Sequence, residues 1–147
     1  MDWYHDCGQL FNEEVKKKLT KSFVSMYENA NHLHDWYLNN IHVANTGPII
    51  QAYSKRGWSS VQLEFSTSEN SDNILLIYKN VSYFKVDYRQ TQHIGILSPT
   101  GFGRCTTNVF KTEEGIPISH AFAFEGDNEI HIKCESIGYR KVINSYW

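Results

Sequence analysis

Hydrophobic residues near the start of the chain recur at spacings of three and four, which is the period of an α-helix with one apolar face. The positions concerned are Phe11, Val15, Leu19, Phe23, Met26 and Ala30. Asn12 suits the N-terminal cap, and Glu13 and Glu14 follow it in the first turn, where the helix dipole favours negative charge. The pattern predicts one amphipathic helix over residues 12–30, whose apolar face must pack on another layer.

From Trp36 onward the period changes to two, which is the period of a half-buried β-strand. In residues 61–65, the clearest example, Val, Leu and Phe alternate with Gln and Glu. The same signals predict further strands at residues 41–44, 49–53, 74–78, 83–88 and 106–111. A turn is predicted at Lys79 and Asn80.

Residues 120–134 carry the clearest hairpin signal, because two alternating runs flank a Gly-Asp-Asn turn. A three-residue loop over residues 126–128 collects four large apolar side chains on one face, in the pairs Phe124–Ile130 and Phe122–Ile132. A two-residue turn divides them between the two faces. Since burial of each is worth about 1.5–3 kcal/mol, we expect the three-residue loop, with His131 and Lys133 facing outward.

These elements predict an α+β fold, in which one N-terminal amphipathic helix packs on a mostly antiparallel, strongly twisted β-sheet or partly open barrel of about six to eight strands. The 147-residue length suits a single domain over residues 1–147, with the β-rich part at about 36–143. The 41% of hydrophobic residues favours a packed core over disorder.

Composition argues against two classes of partner. A net charge of -2 provides little of the positive charge that nucleic-acid binding requires, so no nucleic acid is expected. The first six residues lack the apolar stretch of a signal peptide, and no window approaches the roughly 18 apolar residues of a membrane span, which predicts a cytoplasmic protein without membrane contact. The widely spaced Cys7, Cys105 and Cys134 suit a reducing compartment.

Residues 31–36 hold the densest group of chemically active side chains. His34 and Asp35 form an imidazole–carboxylate pair of the kind that a small hydrolase-like enzyme uses for acid–base chemistry. An extended backbone here would place His32 and His34 on one face. Because zinc requires three or four ligands and the other histidines lack the necessary spacing, we expect no metal site. A structural role is favoured, with Asp35 accepting hydrogen bonds from backbone amides at a turn.

Two cysteines are candidate nucleophiles. Cys134 lies near His120 in the predicted register, but it follows Ile130 and Ile132 on an apolar face, where a thiol is unreactive. Cys105 follows a glycine-rich loop that lacks the other positions of a phosphate-binding loop. We therefore expect no catalytic residues and no cofactor, and the sequence favours a non-catalytic protein.

Large aromatic side chains are the remaining candidates for function, because Trp and Tyr often anchor protein interfaces. Trp36, Trp58 and Tyr53 are the predicted binding residues, and Trp58 follows a Lys-Arg-Gly turn signal.

Several segments also resemble a known type of protein. They are residues 33–41 with the sequence Leu-His-Asp-Trp-Tyr-Leu-Asn-Asn-Ile, residues 75–81, and the closing segments Ser119-His-Ala-Phe-Ala-Phe and Glu129-Ile-His-Ile. This pattern, over about residues 33–137, resembles a group of small bacterial domains, several of which are similar to the immunity proteins that neutralise toxins. The resemblance implies protein binding and brings no catalytic residues.

Three functions follow as hypotheses. The first is a protein-binding domain, in particular an immunity-type inhibitor that occludes a bacterial toxin domain. The second is a small hydrolase-like enzyme that uses His34 and Asp35. The third is a structural module that forms a homodimer through a sheet edge.

Overall fold

The computed structural model describes residues 11–45, 59–67, 72–89 and 100–143. Trp58, Tyr53, Cys7 and the predicted strand at 49–53 lie outside these residues. Two helices, α1 (Glu13–Lys16) and α2 (Lys21–Asn29), precede a six-stranded antiparallel sheet. Its strands are β1 (Tyr37–Asn45), β2 (Ser59–Ser66), β3 (Asn73–Asp87), β4 (Cys105–Glu113), β5 (Ile116–Phe124) and β6 (Glu129–Val142). Their order in space is β1-β2-β3-β6-β5-β4.

The prediction of one continuous helix over residues 12–30 is wrong, because the helix is interrupted between α1 and α2. Asn12 caps α1 as expected, since its side chain accepts a hydrogen bond from the Val15 N–H at 3.2 Å. Thr20 then caps α2 by accepting from the Phe23 N–H at 3.1 Å. The backbone of Thr20 is extended, which interrupts the helical ladder. The six apolar residues of the predicted stripe are nevertheless all buried.

The predicted turn at Lys79 and Asn80 is also wrong, because β3 continues through both residues. Asn80 adopts a φ of 54°. The pairing of β3 with β6 shifts register close by, between Val81 and Tyr83. An irregularity of this kind accommodates one unusual backbone conformation without reversing the chain.

The hairpin differs from its predicted register by two residues. Phe122 pairs with Ile130 rather than Ile132, and the loop is a short 3₁₀ turn at Glu125–Asp127. The Phe124 N–H donates to the Asn128 carbonyl at 2.8 Å and closes the loop. A shift of two keeps every side chain on its predicted face, so the two phenylalanines and two isoleucines are buried together as expected.

The reason for the different register is Asn128, which is fully buried. Its amide nitrogen donates to the Glu125 carbonyl at 3.1 Å, and its amide oxygen accepts from the Arg89 N–H at 2.5 Å. Because these hydrogen bonds hold Asn128 in the interior, it cannot be the exposed last residue of the predicted loop over residues 126–128.

The sheet is open, with β1 and β4 at its edges, and it is strongly curved. The ring centroids of Phe65 on β2 and Phe122 on β5 are 5.6 Å apart. In a flat sheet these strands would be separated by three strand spacings, or about 14 Å. At one end the edges meet through an isolated bridge between Tyr37 and Arg104. The main core lies inside this curve, beneath the helices.

Candidate functional site

The predicted chemical segment, residues 31–36, forms a tight turn with an unusual backbone. Asn31, His32 and Leu33 have φ values of 53°, 55° and 60°, and Asp35 has a φ of 68°. Left-handed conformations cost most residues other than glycine roughly 1–2 kcal/mol each, but Asn and Asp adopt them more readily, so the cost here falls mainly on His32 and Leu33. Such strain persists only where surrounding contacts stabilise it, and it is concentrated at functional positions.

Three groups of contacts hold this strained turn. Leu33 is fully buried in the core. The His32 carbonyl accepts a hydrogen bond from Nδ2 of Asn108 at 2.7 Å. The Asp35 N–H donates to the Cys105 carbonyl, and the Cys105 N–H donates to the Trp36 carbonyl, both at 2.8 Å. These hydrogen bonds attach the turn to the start of β4, and the attachment sets the position of Trp36.

His34 and Asp35 contact each other at the surface. Nδ1 of His34 lies 3.2 Å from Oδ2 of Asp35, and both side chains are more than half exposed. Within the described residues, the partner of the Asp35 carboxylate is the His34 imidazole, and no backbone amide there donates to it. His32 is half-buried against the rings of Phe11 and Tyr27. The segment is turned and not extended, so the alternation that would place His32 and His34 on one face does not apply.

Trp36 lines a cleft between α2 and one end of the sheet, with a volume of about 700 Å³. The side chain is half-buried and packs partly against the core. The cleft has an apolar centre, to which Met26 and Tyr139 also contribute. Its rim is polar and is formed by Ser22, Ser25, Asn29, Asp72 and Lys141. We call this site the Trp36 cleft.

A buried hydrogen-bond network lies behind the strained turn. Oδ1 of Asn108 is 2.7 Å from Nε2 of His120, and the Tyr27 hydroxyl donates to the same oxygen at 2.5 Å. The Tyr78 hydroxyl is 2.7 Å from Nδ1 of His120. Tyr27, Tyr78, Asn108 and His120 are all at most 1% exposed.

The network determines the protonation of His120. Nδ2 of Asn108 donates to the His32 carbonyl, so the amide oxygen must be the atom that faces the imidazole. Nε2 of His120 therefore carries a proton and donates. Burial lowers the pKa of His120 well below its usual value, so Nδ1 is unprotonated and accepts from Tyr78. Burial also raises the pKa of Tyr78 well above 10, which keeps its hydroxyl a donor.

This network was missed in the sequence, although a signal for it exists. Asn108 and His120 occupy inward-facing positions on strands whose other inward residues, such as Phe110 and Phe122, are apolar. A polar residue at such a position requires a buried partner. The partners, Tyr27 and Tyr78, are too far away in the sequence to be identified from a local pattern.

Cys134 is not opposite His120 as the sequence suggested. In the observed register His120 pairs with Ile132, and Cys134 pairs with Ile118. Burial raises the pKa of Cys134 to about 12, so its thiol is protonated at neutral pH. Within residues 11–45, 59–67, 72–89 and 100–143, no three His, Cys, Asp or Glu side chains are grouped so as to hold a metal ion.

Over the part of the chain that the structure describes, no helix is long and apolar enough to cross a membrane. Neither a protein-family model, nor a curated protein, nor a solved structure matches this chain.

Proposed function

We propose that the protein is a non-catalytic protein-binding domain that contacts its partner through the Trp36 cleft. The strained turn supports this proposal most directly, because it sets the position of an aromatic side chain that lines the cleft. A simple connection between α2 and β1 does not require four left-handed residues. Strain maintained by buried contacts is characteristic of segments that position a functional side chain.

The composition of the Trp36 cleft supports the same function. Trp, Tyr and Met are enriched at the centres of protein interfaces, where a few aromatic side chains provide most of the binding energy. Trp36, Tyr139 and Met26 supply these residue types here, and Asp72 and Lys141 add one charge of each sign at the rim. Opposite charges at a rim favour one orientation of the partner.

The partner that we propose is a bacterial toxin domain, so the protein would act as an immunity-type inhibitor. This finer assignment rests on the resemblance of residues 33–137 to small bacterial domains similar to immunity proteins. Trp36 falls within that segment, which begins inside the strained turn at Leu33. Inhibition by occlusion requires only a complementary surface and no chemistry from this protein.

The test is a comparison of two serine variants that differ only in position. Ser25 is exposed at the rim of the Trp36 cleft, and Ser136 is exposed on β6 and does not line it. Ser25→Arg places a long side chain across the cleft without removing a core contact, whereas Ser136→Arg makes the same change elsewhere. The tagged proteins are incubated with lysate from the cells that encode the chain, and retained proteins are quantified by mass spectrometry.

We expect one protein to be retained in stoichiometric amount by wild type and by Ser136→Arg, and to be lost with Ser25→Arg. Thermal melts of the three proteins check that each is folded. If no protein is retained, or if both variants retain it equally, the Trp36 cleft is not a protein-binding site. Retention of a second copy of this chain would instead identify a homodimer. Substrate turnover lost in His34→Ala would support the hydrolase hypothesis.

A further inference from the structure

The outward face of the sheet carries a second depression, with a volume of about 430 Å³, which we call the outer groove. It crosses β3, β6, β5 and β4 on the side away from the main core. Its floor contains Ala121 on β5, which pairs with His131 on β6 and Val109 on β4. Ala121 has a small side chain, and it lines the groove next to His131.

Three lysines surround His131 in the outer groove. Lys85 pairs directly with His131 across β3 and β6, and Lys133 lies two residues further along β6. Lys111 reaches the same region from β4. Lys133 forms an ion pair with Glu113 at 3.1 Å. Lys85 and Lys111 form no ion pair with another residue in the described ranges, so two positive charges remain without a carboxylate partner.

The carboxylates of the outer groove lie mainly at its other end. Asp87 and Glu129 are directly opposite each other on β3 and β6, two residues beyond Lys85 and His131. Two residues along a strand correspond to about 7 Å. The charges are therefore separated along the groove, and its His131 end is positive.

The same end contains neutral groups that can bind an anion. Oγ of Ser119 lies 2.8 Å from Nε2 of His131. The Tyr83 ring packs edge-on against the imidazole at a centroid distance of 5.3 Å. Burial, and then the charge of Lys133, lower the pKa of His131, while Glu113 acts in the opposite direction. The imidazole is therefore neutral at pH 7, and an arriving anion would favour its protonation.

We propose that the outer groove binds a small organic anion, either a carboxylate or a phosphate ester, with its acidic group between Lys85 and Lys111 above Ala121. Each lysine supplies a charge-assisted hydrogen bond. The apolar part of the ligand contacts Val109 and the Tyr83 ring. The outer groove and the Trp36 cleft share no lining residue, so this proposal does not depend on the proposed function.

Binding must be linked to the protonation of His131. The charged groups facing its imidazole are Lys85 and Asp87 on β3, Lys111 and Glu113 on β4, and Glu129 and Lys133 on β6. An anion held by two of the lysines offsets their effect, so bound ligand raises the pKa of His131. By the same linkage, the anion binds more tightly as the pH falls.

The experiment is an NMR titration of the full chain that follows the imidazole signals of His131 and His34 against pH. The ligands are phenyl phosphate, benzoate and inorganic phosphate, each compared with sodium chloride at equal ionic strength. We expect phenyl phosphate or benzoate to raise the pKa of His131 by about half a unit or more. The exposed His34 serves as an internal control. Comparison of the two aromatic ligands distinguishes carboxylate from phosphate, and inorganic phosphate tests the apolar contacts.

Three surface variants complete the test. Lys85→Ala and Lys111→Ala should each weaken binding about tenfold, whereas Lys79→Ala should bind like wild type, because Lys79 is exposed on β3 and does not line the groove. Identical His131 titrations in ligand and in sodium chloride would overturn the proposal. So would a ligand effect that persists in both groove variants, because the anion would then be bound elsewhere.

Discussion

Asn108 on β4 accepts a hydrogen bond from Nε2 of His120 on β5 at 2.7 Å, and its amide nitrogen donates to the His32 carbonyl at the same distance. One side chain thus connects the polar centre of the sheet to the strained turn before Trp36. The arrangement couples the buried network to the proposed binding cleft, since a change at Asn108 affects both.

Asn108→Ala should lower the free energy of unfolding by about 3–5 kcal/mol. The change leaves Tyr27, His120 and the His32 carbonyl without this partner, and each unsatisfied buried group costs about 1–3 kcal/mol. Urea denaturation followed by tryptophan fluorescence measures the change. Asn40→Ala, at an exposed position of β1, should stay within about 0.5 kcal/mol of wild type. Equal stabilities of the two variants would show that the network is not a stabilising element.

His120 should make stability depend on pH in a defined direction. Its pKa is about 6.5 in the unfolded chain and well below that in the folded protein. The unfolded state therefore binds more protons, so the contribution of His120 is complete above pH 6.5 and decreases as the pH falls. The slope should approach about 1.4 kcal/mol per pH unit between the two pKa values.

His120→Gln isolates this contribution, because glutamine keeps a donor and an acceptor but does not titrate in this range. Urea denaturation of wild type and variant is carried out at several pH values between about 5 and 7.5, an interval that includes the ordinary histidine pKa. It gives the difference between their free energies of unfolding at each pH. The difference should shrink toward low pH. A difference that is independent of pH would mean that His120 has an ordinary pKa in the folded state.

Cys134 should resist alkylation in the native protein. A pKa of about 12, against the usual 9.0, leaves about a thousandfold less thiolate at any pH below that range. Iodoacetamide treatment near pH 8, followed by peptide mass spectrometry, should modify Cys134 in urea but not in buffer. Rapid labelling under native conditions would show that β6 opens easily or that the thiol is accessible.

Thr20→Ala should destabilise the protein by about 1 kcal/mol, because the Phe23 N–H loses the hydroxyl that caps α2. Ser136→Ala, at an exposed position of β6, provides a matched hydroxyl removal and should have little effect. Thermal or urea denaturation separates the two. If both variants equal wild type, the N-terminus of α2 is stabilised by packing alone.

Local sequence patterns were sufficient to predict those elements that depend only on residues close together in the chain. The alternation at residues 61–65 correctly predicted β2, since Val61, Leu63 and Phe65 are buried. The face of the closing hairpin was likewise correct. Its register was not, because Asn128 is held by the remote Arg89 backbone as well as by its own loop. Thr20, a good capping residue, was a signal for the helix break. The apolar stripe continues past this position and suggests one unbroken helix.

The apolar helix stripe, the alternating strands and the candidacy of Trp36 as a binding residue could all be predicted from the sequence. These are properties of residues within a few positions of one another. Three other features depend on contacts between distant parts of the chain: the strain in residues 31–35, the position of Trp36 in a cleft, and the connection of His32 to His120 through Asn108. Asn108 is 76 residues from His32 and 81 from Tyr27, and side chains so far apart meet only when the sheet curves and brings β4 against the helices.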